Sequence, residues 1–329
     1  DADGKGMLGQ MPAVQAALAS LDSRDGAILA MVGGFSFSLN KFNRATQSAR
    51  PPGSSFKPFV YSAAFERGFN PGSLVNDAPV ALPDPSQPDG WWRPGNDDGR
   101  FMGPVRLREA MVRSRNLVSV RLLEAIDVRQ GRDYMLRFGF PPEALPASLS
   151  LSLGTSAVAP IQMARGYSVF VNGGRLVDPW FIERIEDREG RALFRMQPLL
   201  ACDDCSNEAG GVRVAPEVID PRIAYMVTSL MQDVVTRGTG SGARVLGRPD
   251  IGGKTGTTND FRDVWFSGFG GHLVATVWVG FDDFSPLGQG EFASRNAVPI
   301  WTDFMRTALD EAPVREFALP DGLVRVAMS

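Results

Sequence analysis

Arg50-Pro51-Pro52-Gly53-Ser54-Ser55-Phe56-Lys57-Pro58 sets a serine and a lysine three residues apart where a helix should begin. Gly53 breaks whatever precedes it, and residues 56–67 read as a helix closed by Gly68. Pro58 falls near the first turn, where backbone N–H groups have no intrahelical partner, so a proline is tolerated. Residues i and i+3 share a helix face, which lets Ser54 and Lys57 touch. A serine hydroxyl is a weak nucleophile until a base takes its proton, and a neutral lysine amine can do so. Ser-x-x-Lys is nonetheless a common spacing, and on a solvated helix start it does no chemistry. Its weight depends on what else the chain supplies.

The 329 residues suffice for one large domain or two ordinary ones, and a hydrophobic content of 43% predicts a sizeable core. With 34 Lys and Arg against 37 Asp and Glu, the net charge of −3 gives no electrostatic case for nucleic acid. No apolar run approaches the roughly 20 residues that span a bilayer. The opening Asp1-Ala-Asp-Gly4-Lys-Gly6 carries neither Met nor signal peptide, so it reads as a processed, excised or engineered start. Residues 1–11 are accordingly expected to be a truncated or engineered linker.

Two scarcities bound the chemistry. His272 is the single histidine, and Gly270-Gly271-His272-Leu273 places it at a turn between two strand-like runs. Cys202 and Cys205 are too few for a four-ligand zinc site even with His272 added, so neither metal nor cofactor is expected. Cys202-Asp-Asp-Cys205 leaves three readings open: a local disulfide, two free thiols, or a redox pair, the last disfavoured because no βαβ pattern surrounds it.

Apolar runs at 14–21 and 27–32 flank the turn cluster Asp22-Ser-Arg-Asp-Gly26 and predict a hairpin. Residues 35–53 read as loop. Residues 70–104, rich in Pro, Asp, Gly and Asn, read as an irregular excursion in which Trp91 and Trp92 either pack the loop onto the body or line a groove. Helical periodicity covers 105–113, breaks at Ser114-Arg115-Asn116, and resumes with Val118, Leu122, Leu123 and Ile126 on one face. A short helix is expected near 131–138, another from Pro160 to the Asn172-Gly173-Gly174 stop, and a second hairpin around Asp187-Arg-Glu-Gly190. Residues 197–215 read as loop. Asp220-Pro221 caps a helix with Ile223, Met226, Val227, Leu230, Met231 and Val234 on one stripe. Strands follow at 253–258, 263–269 and 273–281, and a closing helix at 299–309. Strands at both ends and helices between predict an α/β body of the α+β type, its antiparallel sheet built from the two ends of the chain.

Within that frame three short motifs stand in order: Ser54-x-x-Lys57, Ser114-x-Asn116, and Lys254-Thr-Gly256 followed by Thr257-Thr258. Each alone is weak, but together they are the set of penicillin-binding proteins and class A β-lactamases. Ser294-Arg-Asn296 repeats the second pattern in the wrong order and context and is read as loop. The chain resembles the transpeptidase domain of class A penicillin-binding proteins, the 1A type most closely. Trp92-Arg-Pro94-Gly-Asn96, Gly103-Pro-Val-Arg-Leu-Arg108, Leu153-Gly-Thr-Ser156, Arg237-Gly-Thr-Gly240 and Val277-Trp-Val-Gly-Phe281 are further runs similar to that family. The likeness covers roughly residues 12–312, leaving 313–329 as a C-terminal extension.

The resemblance implies a serine D,D-transpeptidase that cross-links peptidoglycan stem peptides through a Ser54 acyl-enzyme and is inhibited by β-lactams. Without a usable histidine, Lys57 is the base, its pKa lowered by burial and by the neighbouring cation Lys254. Ser114 relays a proton between Lys254 and the leaving amine. Asn116 holds Lys57 or the substrate amide, caps the helix beginning at Leu117, or does both. Period-two alternation puts Lys254 and Gly256 on one strand face, with Gly256 leaving it open to substrate backbone. The family seats a substrate carboxylate at the hydroxyls of Thr255 and Thr257. Thr255, Gly256, Thr257 and Thr258 are therefore the substrate-binding candidates, and the backbone N–H groups of Ser54 and Thr257 the oxyanion hole. Implied partners are D-Ala-D-Ala stem peptides, an amine acceptor and β-lactams. Class A members also carry an upstream membrane helix and a glycosyltransferase domain and face the periplasm from the inner membrane. The rivals are a D,D-carboxypeptidase or β-lactamase of the same fold, for which Glu143 is the candidate deacylation base, and a non-catalytic β-lactam-binding module.

Overall fold

The computed structural model describes residues 10–202, 205 and 212–327. Strands β1 (Gln15–Asp22) and β2 (Ile28–Val32) form the N-terminal hairpin. Strands β3 (Gly252–Thr257), β4 (Asp263–Gly270) and β5 (Leu273–Gly280) form a C-terminal meander whose last turn contains His272. They join as one five-stranded sheet in the order β3-β4-β5-β1-β2, antiparallel throughout. The sheet is thus assembled from the two ends of the chain, as the distribution of strand-like runs predicts.

Alternation along the strands serves two cores. Val264, Phe266, Ala275, Val277 and Val279 pack on one face, and Trp265, Phe269, Val274 and Trp278 on the other. Because both faces are covered, these strands read as nearly continuous apolar runs. Five helices matter for the site: α1 (Lys57–Glu66), α2 (Asn116–Ala125), α3 (Pro160–Val171), α4 (Pro221–Arg237) and α5 (Ala297–Ala308). The first four lie on the Trp265 side and α5 on the other, where the Trp301 ring meets Phe266 at 5.0 Å. Helix α4 begins as its sequence demands: Pro221 in the first turn, and Arg222 N donating to the Asp220 carboxylate at 2.8 Å. Its buried stripe of Ile223, Val227, Leu230, Met231 and Val234 contributes roughly 1.5–3 kcal/mol per side chain against the extended chain.

Helix α1 is buried on nearly every side. Phe59 alone sits among Phe56, Phe138, Phe140, Tyr167 and Phe170 at ring-centroid distances of 5.0–5.6 Å. The residues just ahead of α1 therefore start from a fixed base.

Several loop assignments need correction. Residues 35–53 contain a helical turn, Arg44–Gln47, because the Asn43 side chain accepts from Ala45 N at 3.0 Å. The 70–104 excursion holds two small antiparallel ladders: Leu74–Asp77 with Gly103–Arg106, and Leu82–Pro83 with Trp91–Trp92. Trp91 remains 44% exposed, so it is not the anchor that packs the loop down. Leu199–Leu200 pairs with Arg213–Val214 within the expected 197–215 loop; residues 203, 204 and 206–211 lie outside the described residues. The expected linker is described only at residues 10 and 11. Residues 313–327 form no helix or strand but lie on the body, with Arg315 N donating to Asp250 at 2.9 Å and Phe317 packing on Phe269.

Candidate active site

Gly53–Phe56 is a 3-10 turn that runs directly into α1, so Ser54 and Lys57 are presented by one rigid unit. Gly53 adopts φ +55°, and a Cβ there would lie 2.9 Å from Thr257 O, which is why this position needs glycine. The turn is tied on every side. Gly53 N donates to Gly154 O at 3.2 Å, and Tyr167 Oη donates to Ser55 O at 2.6 Å. The Ser55 hydroxyl donates to Lys254 O at 3.3 Å and contacts Ser267 Oγ at 3.2 Å. Upstream, the buried Arg50 guanidinium lies over Phe284, donates to Phe281 O and faces Asp263 at 3.6 Å. Within this frame Ser54 stays partly open while Gly53, Ser55, Phe56 and Lys57 are buried.

Lys57 and Lys254 are both fully buried and converge on one hydroxyl. Lys57 Nζ donates to Ser114 O at 2.6 Å and to Asn116 Oδ1 at 2.7 Å, and lies 3.2 Å from Ser114 Oγ. Lys254 Nζ lies 2.8 Å from the same Oγ and donates to Thr255 O at 3.0 Å. Burial pushes the Lys57 ammonium down to about 7, with Asp97 and Asp77 opposing the shift and Arg115 adding to it. Burial also takes Lys254 well below its usual value, and the Lys57 charge lowers it further. A neutral Lys57 amine spends its two N–H groups on Ser114 O and Asn116 Oδ1 and keeps its lone pair for a hydroxyl proton.

Ser114 sits between the helix Leu107–Val112 and α2 with φ +56°, a left-handed conformation that costs a non-glycine residue roughly 1–2 kcal/mol. The neighbouring loop holds it there. Asn96 Oδ1 accepts from Asn116 N at 2.8 Å and from Leu117 N at 3.4 Å. Asn116 Nδ2 donates to Gly95 O and to Asp97 Oδ1, both at 2.9 Å. Arg115 donates to Asp77 at 2.8 Å and to Asp98 at 3.0 Å. The expectation that Asn116 caps α2 is corrected: Asn116 is the first helical residue, its side chain is spent on Lys57, Gly95 and Asp97, and the capping oxygen comes from Asn96, twenty residues upstream. The sequence signal for this loop was the Pro94-Gly-Asn96-Asp97-Asp98 cluster, which only a tertiary contact turns into a cap.

A cleft of about 400 Å³ opens on this group, lined by Ser54, Asn96, Asp97, Asp98, Arg113, Ser114, Arg115, Thr239, Thr255, Thr257, Phe292, Ala293 and Ser294. A larger hollow of about 560 Å³ between α1 and the helix Val128–Leu136 contains none of the motif residues. Thr255 Oγ1 is 2.6 Å from Thr239 Oγ1, so two hydroxyls face the cleft together. Thr257 Oγ1 accepts from Ala293 N at 3.3 Å. β3 is an edge strand, and the alternate Thr258 N donates to Asp263 O, so Thr257 N points away from β4 toward the nucleophile turn.

Two strand candidates do other work. A Cβ on Gly256 would fall 2.1 Å from Pro52 O and 2.9 Å from Ser55 Cβ, so this glycine lets β3 touch the nucleophile turn; it does not open the face to substrate backbone. The Thr258 hydroxyl brackets the β3–β4 turn, accepting from Asp263 N at 2.9 Å, and does not line the cleft. Ser294, set aside as loop, is in a loop but lines the cleft; Thr239 and Asp97 were likewise not singled out. Glu143 is exposed in the turn Pro142–Ala144, away from the cleft. Cys202 and Cys205 form a disulfide, so they are not two free thiols.

Comparison with known proteins places this geometry. The model of the penicillin-binding protein transpeptidase domain matches residues 16–270. Penicillin-binding protein 1A of Neisseria lactamica is 47% identical over 315 residues, 96% of this chain and 38% of the relative. That of Pseudomonas aeruginosa is 45% identical over 350 residues, 96% of this chain and 42% of the relative. The chain thus spans about two-fifths of these relatives' length. The crystal structure of penicillin-binding protein 1A from Haemophilus influenzae superposes with a TM-score of 0.92 at 39% identity, over 98% of this chain and 51% of that one. PonA1 of Mycobacterium tuberculosis, solved with penicillin V, superposes with a TM-score of 0.79 at 27% identity, over 94% of this chain and 82% of that one. The fold is that of the β-lactamase and transpeptidase group, as the resemblance implies.

Proposed function

The chain belongs to the family of penicillin-binding protein transpeptidase domains, and on that premise we propose that it is the cross-linking domain of a 1A-type protein, with Ser54 as its nucleophile. The observation that carries this is the convergence of two buried lysines on the Ser114 hydroxyl beside the partly open Ser54. Neutral Lys57 takes the Ser54 proton. Ser54 Oγ attacks the carbonyl of the penultimate D-Ala of a stem peptide, and the resulting oxyanion is held by the N–H groups of Ser54 and Thr257. Losing one such donor typically costs roughly 10²–10³ in rate. Collapse breaks the peptide bond, and the leaving D-Ala amine takes a proton through Ser114 from the lysine pair. An amine on a second stem then attacks the ester, gives up a proton to the same relay, and regenerates the Ser54 hydroxyl. The stem's terminal carboxylate is assigned to Thr255, Thr257 and their neighbour Thr239. Gly256 and Thr258 keep structural roles.

A β-lactam enters as the same acyl donor. Among the described residues the cleft carboxylates are Asp97 and Asp98, engaged by Asn116 and Arg115, and Glu143 is remote. This favours a long-lived acyl-enzyme over β-lactamase turnover. The parent protein is proposed to work at the periplasmic face of the inner membrane, joined to a glycosyltransferase domain. Among the described residues no helix is long and apolar enough to cross a membrane.

Intact-protein mass spectrometry after incubation with benzylpenicillin tests the proposal. One stable adduct is expected on the wild type and none on Ser54→Ala. An adduct that survives Ser54→Ala removes Ser54 as nucleophile, and consumption of penicillin without an adduct makes the chain a hydrolase.

A further inference from the structure

We propose that Asp97 is a positioning residue of the acylation machinery, acting through Asn116 on the lysine pair. The inference rests on the proposed role of Lys57 as base. Asp97 Oδ1 accepts from Asn116 Nδ2 at 2.9 Å, while Asn116 Oδ1 accepts from Lys57 Nζ at 2.7 Å. With the second Nδ2 hydrogen on Gly95 O, the amide has one orientation, oxygen toward the lysine. Asp97 is exposed and lines the cleft, so it is not retained to fill a core. Its neighbours are bound differently: Asn96 serves the α2 backbone, and Asp98 is paired with Arg115.

The carboxylate also acts by charge. The charged groups facing Lys57 are Lys254 from β3, Asp97 from the cleft loop, Asp77 from the strand Leu74–Asp77, and Arg115 beside Ser114. Among the described residues Asp97 is the one carboxylate that favours the ammonium form of both lysines. It therefore keeps a proton on the pair while Asn116 orients the amine. Without it the pair would shed its proton at lower pH.

The test is the second-order rate of benzylpenicillin acylation against pH for wild type, Asp97→Asn and Asp97→Ala, with thermal melting to confirm folding. Asparagine keeps an acceptor for Asn116 and loses the charge; alanine loses both. Both variants should displace the acid limb to lower pH, acylating roughly twofold or more faster than expected from the wild-type profile on that side. Only alanine should also lower the plateau. Acid limbs that superimpose on the wild type in both variants overturn the role, whatever the plateaus do. Failure of the wild type itself to acylate at Ser54, or to show an acid limb, would instead fail the proposed function.

Discussion

Two clusters of buried charge flank Ser114, and they are built on opposite plans. On one side Lys57 and Lys254, both fully buried, share the Ser114 hydroxyl and donate separately to Ser114 O and Asn116 Oδ1 and to Thr255 O, with no carboxylate in contact among the described residues. On the other, Arg115 and Asp77 are equally withdrawn from water but directly paired, with side-chain exposures of 6% and 0%, and Asn96 Nδ2 bonds the same carboxylate at 2.8 Å. Buried like charges are driven to lose protons, whereas a satisfied opposite pair keeps its charges. The first cluster can therefore move protons at neutral pH. The second is a clamp that holds the loop carrying Ser114 and Asn116. The same burial gives chemistry in one place and rigidity in the other.

The comparison breaks first if Lys57→Met fails to separate activity from stability. Methionine fills a similar volume without the amine, so acylation should fall by about 10²–10⁴, the usual contribution of a general base. The melting temperature should change little, because the desolvation cost of a buried amine is removed while Ser114 O and Asn116 Oδ1 lose their donor. A large loss of stability with only a small loss of rate would put Lys57 on the structural side of the division.

Asp77→Ala probes the clamp and should behave in the opposite sense. Removing the buried carboxylate leaves Arg115 only its more exposed partner Asp98 and strips Asn96 Nδ2 of its acceptor, at a cost approaching about 3–5 kcal/mol, read as a drop of several degrees in melting temperature. Folded protein should still be acylated, more slowly because Ser114 has lost support, but by a smaller factor than in Lys57→Met. Equal rate losses in the two variants would erase the distinction between the clusters.

Gly256→Ala tests the contact between them and the sheet. The new methyl would meet Pro52 O at 2.1 Å, and backbone on both sides leaves it nowhere to go. Overpacking of this kind costs about 1–3 kcal/mol, and because it pushes β3 from the nucleophile turn, acylation should fall with stability. Unchanged rate and stability would mean that the strand face is open, as the sequence alone suggests.

These three positions show what was legible beforehand. Ser54, Lys57, Ser114, Asn116 and Lys254 were legible as a set, because three motifs that are each weak alone stand in the order that resembles one family. The sheet was equally legible, since strands buried on both faces leave long apolar runs at each end of the chain. Gly256 misled because a glycine vacates space without saying for whom. Asn116 misled because it has the composition of a helix cap, yet Asn96 supplies the capping oxygen from another loop. Asp77 and Asp97 stood in a segment whose Pro, Gly and Asp content signals only turns. Their meaning lies in hydrogen bonds to residues 19 to 38 positions away, and no local pattern encodes those.

The smallest predicted effect is the pH response that separates the clusters within one protein. Lys57 is brought from the ordinary lysine value to about 7 by burial. Acylation needs the amine neutral, so its rate should rise with pH through about 7 and fall roughly tenfold for each unit below it. The stability contribution has a worked sign as well. The unfolded chain holds the Lys57 proton up to the ordinary lysine value of 10.5, while the folded chain releases it near 7, so between those limits the unfolded state binds more protons. Stability from this group therefore rises as pH rises across the window and is lost on descending toward 7. Following unfolding of wild type and Lys57→Met against pH reads that slope together with the accompanying change at Lys254, the Arg115–Asp77 clamp being common to both. Parallel stability curves together with a flat acylation profile would mean that Lys57 stays charged throughout, leaving Lys254 as the amine that takes the serine proton.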